Sequence, residues 1–189
     1  MSPVKKSTNK STIFIFITAF ILPVILAKVA LDNNWFNQAA TNKGELIQPA
    51  LDMTSLQGGS KEPKWKLLYV LPEQCKEACE NALYSVAQVH SALGKESDRA
   101  EVVVLAYDQS DSEQLALIKE QPNYRLLNTN LDSLNQVFDG ASTQGVFIVD
   151  TLNNIILRYP LYINPEDAIL HSRDILSDMR KVLKLSRIG

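Results

Sequence analysis

The chain has 189 residues, 46% of them hydrophobic and 21% charged, with a formal net charge of −2. That suits one modest folded domain, and no basic stripe marks a nucleic-acid surface. Nor does the sequence hold a zinc-ligand spacing, a phosphate-binding glycine loop or a Ser/His/Asp arrangement.

The first element is apolar. Residues 13–27, IFIFITAFILPVILA, carry no charge and a single hydroxyl, Thr18. Extended to Ser11–Leu31, the run matches the ~20 residues a helix needs to cross a bilayer core. Lys28 lies near its end, where a long stem reaches the headgroups, and Trp35 and Phe36 follow at an interfacial position. Pro23 is tolerated in lipid, with a kink. A cleaved signal is disfavoured, because the run is long for one and Lys28 spoils the nearest cleavage pattern, AKVA. Lys5, Lys6 and Lys10 crowd the N-terminal side, so the positive-inside rule puts residues 1–10 in the cytoplasm and the rest outside. The expectation is a single-pass anchor over 11–31 in a bacterial inner membrane, with the remainder in the periplasm. In that oxidising space two thiols tend to pair.

Residues 32–63 read as a connector, rich in Asn, Gly and Pro and without a clear period. From Trp65 the pattern becomes regular. KLLYVL (66–71), ended by Pro72, predicts a buried strand. Apolar or small residues at Cys75, Cys79, Ala82, Val86, Val89 and Leu93 predict a helix over 74–93, closed by Gly94. EVVVLAY (101–107) predicts a second strand, and residues 112–121 a short helix stopped by Pro122. Residues 131–138 give another helical turn or two. GVFIVD (145–150) and NIILRY (154–159) form a predicted hairpin. Pro165 opens a last helix, with Ile175, Met179, Val182 and Leu183 inward and basic residues at its C-terminal end. Strands joined through helices imply a mixed α/β sheet covered on both faces. The order is that of the thioredoxin fold, which delivers reactive cysteines to the start of the first helix.

Both cysteines of the chain, Cys75 and Cys79, sit at that point in LYVLPEQCKEACENAL. A helix N-terminus favours a thiolate; Lys76 helps, while Glu73, Glu77 and Glu80 oppose. Residues i and i+4 within a helix hold their Cβ atoms ~5–6 Å apart, whereas a disulfide wants ~3.8 Å. A bridge therefore requires Cys75 outside the helix and Cys79 in its first turn. Two such thiols also suit a soft ion such as Cu(I), or they are inert packing residues. His90 lies ~16 Å along the same helix from Cys79 at 1.5 Å per residue, and His171 is expected at the surface. Neither completes a metal site.

The anchor, KWKLLYVLPEQCKEACENAL, GVFIVDTLNNIILRYP and VLKLSRIG together resemble the small membrane-anchored thioredoxin-like proteins of bacterial cytochrome c oxidase assembly clusters. More distantly the chain is similar to the Sco copper chaperones. The resemblance implies a thioredoxin-like domain over 64–189. It also implies an assembly role in which Cys75 and Cys79 act as a redox pair or as Cu(I) ligands. The implied partner is a copper-binding oxidase subunit or another assembly factor. The Sco family's third ligand is a histidine before the strand that here reads VFIVD. This chain has DGASTQG there, with Ser142 the nearest equivalent. No proline precedes GVFIVD, where thioredoxins keep one, and no threonine precedes the cysteines as in peroxiredoxins. A scaffold with a static bridge and a general thiol oxidoreductase are the competing readings.

Overall fold

A computed structural model describes residues 10–32, 42–56 and 62–188. It divides into two compact units, α1 falling in the first and residues from Asn42 onward in the second. Helix α1 spans Lys10–Asp32. Its described side chains from Phe14 to Val29 are exposed, with apolar residues on every face and Thr18 Oγ1 donating to the Phe14 carbonyl at 2.9 Å. Among the described residues no helix is long and apolar enough to cross a membrane.

The second unit is built on a six-stranded sheet of order β1-β6-β5-β2-β3-β4. The strands are β1 (Glu45–Asp52), β2 (Trp65–Val70), β3 (Ala100–Ala106), β4 (Tyr124–Asn128), β5 (Val146–Val149) and β6 (Asn154–Tyr159). Strands β2, β3 and β4 run parallel, while β5 is antiparallel to β2, β6 to β5 and β1 to β6. The helices are α2 (Glu77–Ala92), α3 (Ser112–Lys119), α4 (Leu131–Phe138) and α5 (Pro165–Leu185). The mixed sheet with flanking helices is the thioredoxin-like α/β fold expected from the element order.

Every residue of β2 is buried, because helices cover both faces of this central strand. Leu67, Tyr69 and Leu71 pack with Cys79, Val86, Val89, Ile175, Met179 and Leu183 of α2 and α5. Leu68 and Val70 face Met53, Leu56, Leu134, Val137 and Phe138 on the other side. Lys66 is the exception in the run. It is only 1% exposed, its Nζ donates to the Lys64 carbonyl at 2.9 Å, and burial pushes its pKa down. The β5–β6 hairpin turns through Thr151-Leu152-Asn153. Asn153 takes the left-handed conformation (φ 74°), and Asp150 Oδ1 accepts the N–H groups of Leu152 and Asn154 at 2.8 Å each. That is a three-residue hairpin loop ending in an αL residue. Helix α5 starts as predicted, with Pro165 in its first turn and Asn164 accepting the Glu166 N–H at 2.8 Å.

Three sequence expectations are corrected. The stretch read as a connector contains β1, which pairs with β6. It also supplies Met53 and Leu56, 0% and 6% exposed, to the second core. Strand β1 is an edge with every residue exposed or half-exposed and carries Pro49, which an edge tolerates, so no buried period marks it. Strand β4 follows Pro122 and was not expected at all; it is the other edge. Helix α2 begins at Glu77, three residues later than Gln74.

Candidate functional site

At its C-terminal end β2 runs into Leu71, whose N–H donates to the Leu105 carbonyl at 2.9 Å, and Pro72 then turns the chain away. The loop after β3 holds this exit. Ser110 Oγ donates to the Leu71 carbonyl at 2.7 Å and accepts the Tyr107 N–H at 3.0 Å. The Asp111 N–H donates to the Pro72 carbonyl at 2.9 Å. Asp111 also caps α3, Oδ1 accepting the N–H groups of Glu113 and Gln114 at 3.1 Å each. Its second oxygen accepts the Cys75 N–H at 2.9 Å.

Helix α2 has Lys76 as its N-cap in an extended conformation (φ −111°, ψ −170°), without a side-chain cap. Cys75 therefore lies outside the helix and Cys79 in the first turn, with the Cys79 N–H on the Lys76 carbonyl at 2.8 Å. This is the arrangement the spacing argument requires for a bridge, and the two residues are disulfide-bonded with Cα atoms 5.1 Å apart. Their environments differ. Cys75 is half-buried, whereas Cys79 is 3% exposed and packed in the core beneath.

Cys79 borders a cleft of about 540 Å³ whose other lining residues are Tyr69, Val70, Pro72, Glu73, Gln74, Lys76, Ala78, Tyr107, Thr143, Gln144 and Leu161; Cys75 is not among them. Burial pushes the Tyr107 hydroxyl pKa up, and the nearby Glu73 carboxylate adds to it. The Cys75 N–H, followed by that of Gln114, holds the Asp111 carboxyl below its ordinary value against partial desolvation. Glu73, Glu77 and Glu80 are exposed beside Lys76.

The histidines lie elsewhere. His90 Nε2 contacts the carbonyls of Ser97 and Ala100 at 3.2 and 3.0 Å, tying α2 to the turn before β3. His171, expected at the surface, keeps its side chain 43% exposed. It stacks on Tyr162 (centroids 4.3 Å apart, planes 1° from parallel) and pairs with Asp174 at 3.2 Å. Ser142, at the place of the Sco histidine, is exposed and borders a different hollow beside β1 and Phe147. Thr143 and Gln144 reach the cysteine cleft instead. A soft ion at the reduced pair would find two sulfurs, and the cleft beside Cys79 offers no imidazole. Among the described residues no group of three His, Cys, Asp or Glu side chains is placed to hold a metal. The residue that sequence reasoning missed is Asp111, far from Cys75 in the chain. Its signal was the D-S-E start of α3, an N-cap pattern.

A thioredoxin-like domain with a cysteine bridge straddling the start of its first helix is thus defined by fold and geometry alone. The sequence profile of the family described as transmembrane-like, thioredoxin-like, C-terminal domain matches residues 65–186, and the chain belongs to that family. No curated protein sequence matches it. Among solved structures it is similar to apo Sco1 from Thermus thermophilus, at 17% identity and a TM-score of 0.53 over 75% of this chain and 97% of that one. Copper-bound ScoI from Arabidopsis thaliana follows at 13% identity, TM-score 0.47, over 73% and 98% of the two chains. The thioredoxin domain of a thiol-disulfide oxidoreductase from Bacteroides vulgatus also scores 0.47, at 13% identity over 74% and 94%. At these identities the likeness is one of fold, a distant Sco-like thioredoxin fold.

Proposed function

We propose that the chain is a membrane-tethered thioredoxin-like assembly factor for a respiratory oxidase, whose Cys75–Cys79 pair exchanges disulfides with a copper-binding subunit or another assembly factor. The observation that carries the exchange chemistry is the asymmetry of the bridge. One sulfur belongs to a half-exposed residue in the loop before the helix, and the other to a residue 3% exposed in the first helical turn, at the wall of the cleft. An incoming partner thiolate attacks Cys75 Sγ, the Cys75–Cys79 bond breaks, and Cys79 leaves as a thiolate that takes a proton from solvent. A second partner thiolate then attacks its own sulfur in the mixed disulfide and releases Cys75. The partner is oxidised by two electrons and the pair reduced; run backwards, the same steps reduce a partner disulfide.

The reduced pair also offers two soft ligands for Cu(I) as cargo, which is the second reading. The position of Ser142 outside the cleft favours exchange over a three-ligand copper centre. Two measurements test the proposal. The reduction potential of the pair is expected clearly above the roughly −300 mV below which structural bridges lie. The Cys75→Ser, Cys79→Ser variant is expected to leave oxidase copper loading deficient; normal loading by that variant would reduce the domain to a scaffold.

A further inference from the structure

In the reduced pair, with the Cys75–Cys79 bridge open, the local sequence favours helix at Cys75. The sequence before it, Pro72-Glu73-Gln74, is a good helix start, with proline suited to the first helical position and a carboxylate just after it. Lys76, the observed N-cap, makes no side-chain cap bond that would mark the boundary. If α2 began one turn earlier, Cys75 and Cys79 would be helical i and i+4 residues. Their Cβ atoms would then lie ~5–6 Å apart, beyond the ~3.8 Å of a disulfide.

Two bonds from a different part of the chain hold the segment extended. Both come from Asp111: its N–H on the Pro72 carbonyl at 2.9 Å and its Oδ2 on the Cys75 N–H at 2.9 Å. The other oxygen is committed to α3, so the carboxylate is fixed from behind and acts as a rigid post. We infer that Asp111 is a positioning residue for the redox pair. By keeping residues 72–75 out of helix α2 it holds Cys75 where Cys79 can reach it, and so sets how readily the bridge closes. This rests on the pair being redox-active, but the two claims fail separately.

The test uses the full-length chain in detergent, equilibrated with glutathione redox buffers and scored by thiol trapping. Three variants separate the functions of the side chain. Asp111→Asn keeps one acceptor oxygen and sets an N–H₂ donor where the other stood, so it serves the helix cap or the Cys75 N–H but not both. Asp111→Ser keeps a helix cap but is too short to reach Cys75. Asp111→Ala keeps neither. Bridge closure in Asp111→Ser and Asp111→Ala is expected to weaken by about tenfold, which is about 30 mV toward easier reduction, and Asp111→Asn, with a single acceptor oxygen, is expected to fall between these variants and the parent. Circular dichroism of the reduced serine variant is expected to show added helix. Equal closure constants in all four proteins would overturn the inference, as would loss in Asp111→Ala fully restored by Asp111→Ser, which would assign the effect to the α3 cap. A parent potential far below the exchange range, with the variants still shifted, would leave Asp111 in its role and remove the proposed function instead.

Discussion

Asp178 shows how one side chain can fasten a distant segment. It is fully buried on α5, a location that normally disfavours a carboxylate. Oδ2 accepts the N–H groups of Lys43 and Gly44 at 2.6 and 3.0 Å and the Tyr159 hydroxyl at 2.8 Å. Oδ1 accepts from Lys181 Nζ at 2.9 Å. Burial pushes the carboxyl pKa up, but the bonds from Gly44, Lys181, Tyr159 and Lys43 more than offset it and hold the group below its ordinary value of 3.8. A carboxyl lowered in the folded state stabilises the fold above the unfolded value and loses that contribution as pH falls through the folded one. Asp178→Asn is therefore expected to cost about 2–4 kcal/mol at pH 7, with the gap to the parent narrowing below about pH 4. Urea titrations at pH 7 and pH 3 check this; a gap independent of pH would show that packing, not charge, is what the substitution removes. Gly44 belongs to the same fastening. A Cβ placed there would lie 2.5 Å from the Tyr159 ring, so the glycine lets the backbone reach the carboxylate.

Among elements, β1 depends on that fastening. Its register with β6 shifts between Leu46 and Leu51, and beyond it Met53 and Leu56 close the second core. A fragment starting at Lys64 would lack the strand, both core residues and two of the donors to Asp178. Against a fragment starting at Asn42 it is expected to lose at least about 4 kcal/mol. That is a large share of the roughly 5–15 kcal/mol of a typical domain. Thermal unfolding of the two fragments decides the matter, and equal midpoints would mean that β1 is an ornament on a self-sufficient core. The same strand marks where the sequence stopped being legible. Strand β2, helix α2 and the β5–β6 hairpin announce themselves through buried runs, a 3–4 spacing and an αL asparagine. Helix α5 carries its own start signal in Asn164-Pro165. Strands β1 and β4 bury little and owe their pairing to neighbours far off in the chain, so no local period encodes them. The site divides in the same way. A bridge at that cysteine spacing requires one residue in the loop and one in the first turn, as found, whereas Asp111, 36 residues from Cys75, reaches it only through the fold.

For the whole molecule, the proposed tether would decide what a weak exchange reaction can achieve. Helix α1 is apolar on all sides and exposes Phe14, Phe16 and Phe20 by 71%, 61% and 73%; a helix with no polar face calls for burial in lipid or in a large core. The folded unit from Asn42 onward has its own two hydrophobic clusters, both formed within that unit. The proposed function requires α1 to hold the folded unit at the membrane, in the same plane as a membrane-bound partner. Local concentrations in the millimolar range then replace a tight interface. The chain is accordingly expected to stay with the membrane fraction through high salt and alkaline carbonate and to be released only by detergent. After mild reduction, Cys75 in intact spheroplasts is expected to react with a membrane-impermeant maleimide. Deleting residues 1–31 should leave exchange with small thiols in solution unchanged while oxidase assembly falls, since only encounter frequency is lost. Release by salt alone would place α1 against protein rather than lipid. Labelling only after lysis would put the cysteines on the cytoplasmic side, where glutathione keeps thiols reduced and an oxidising role for the pair loses its thermodynamic basis.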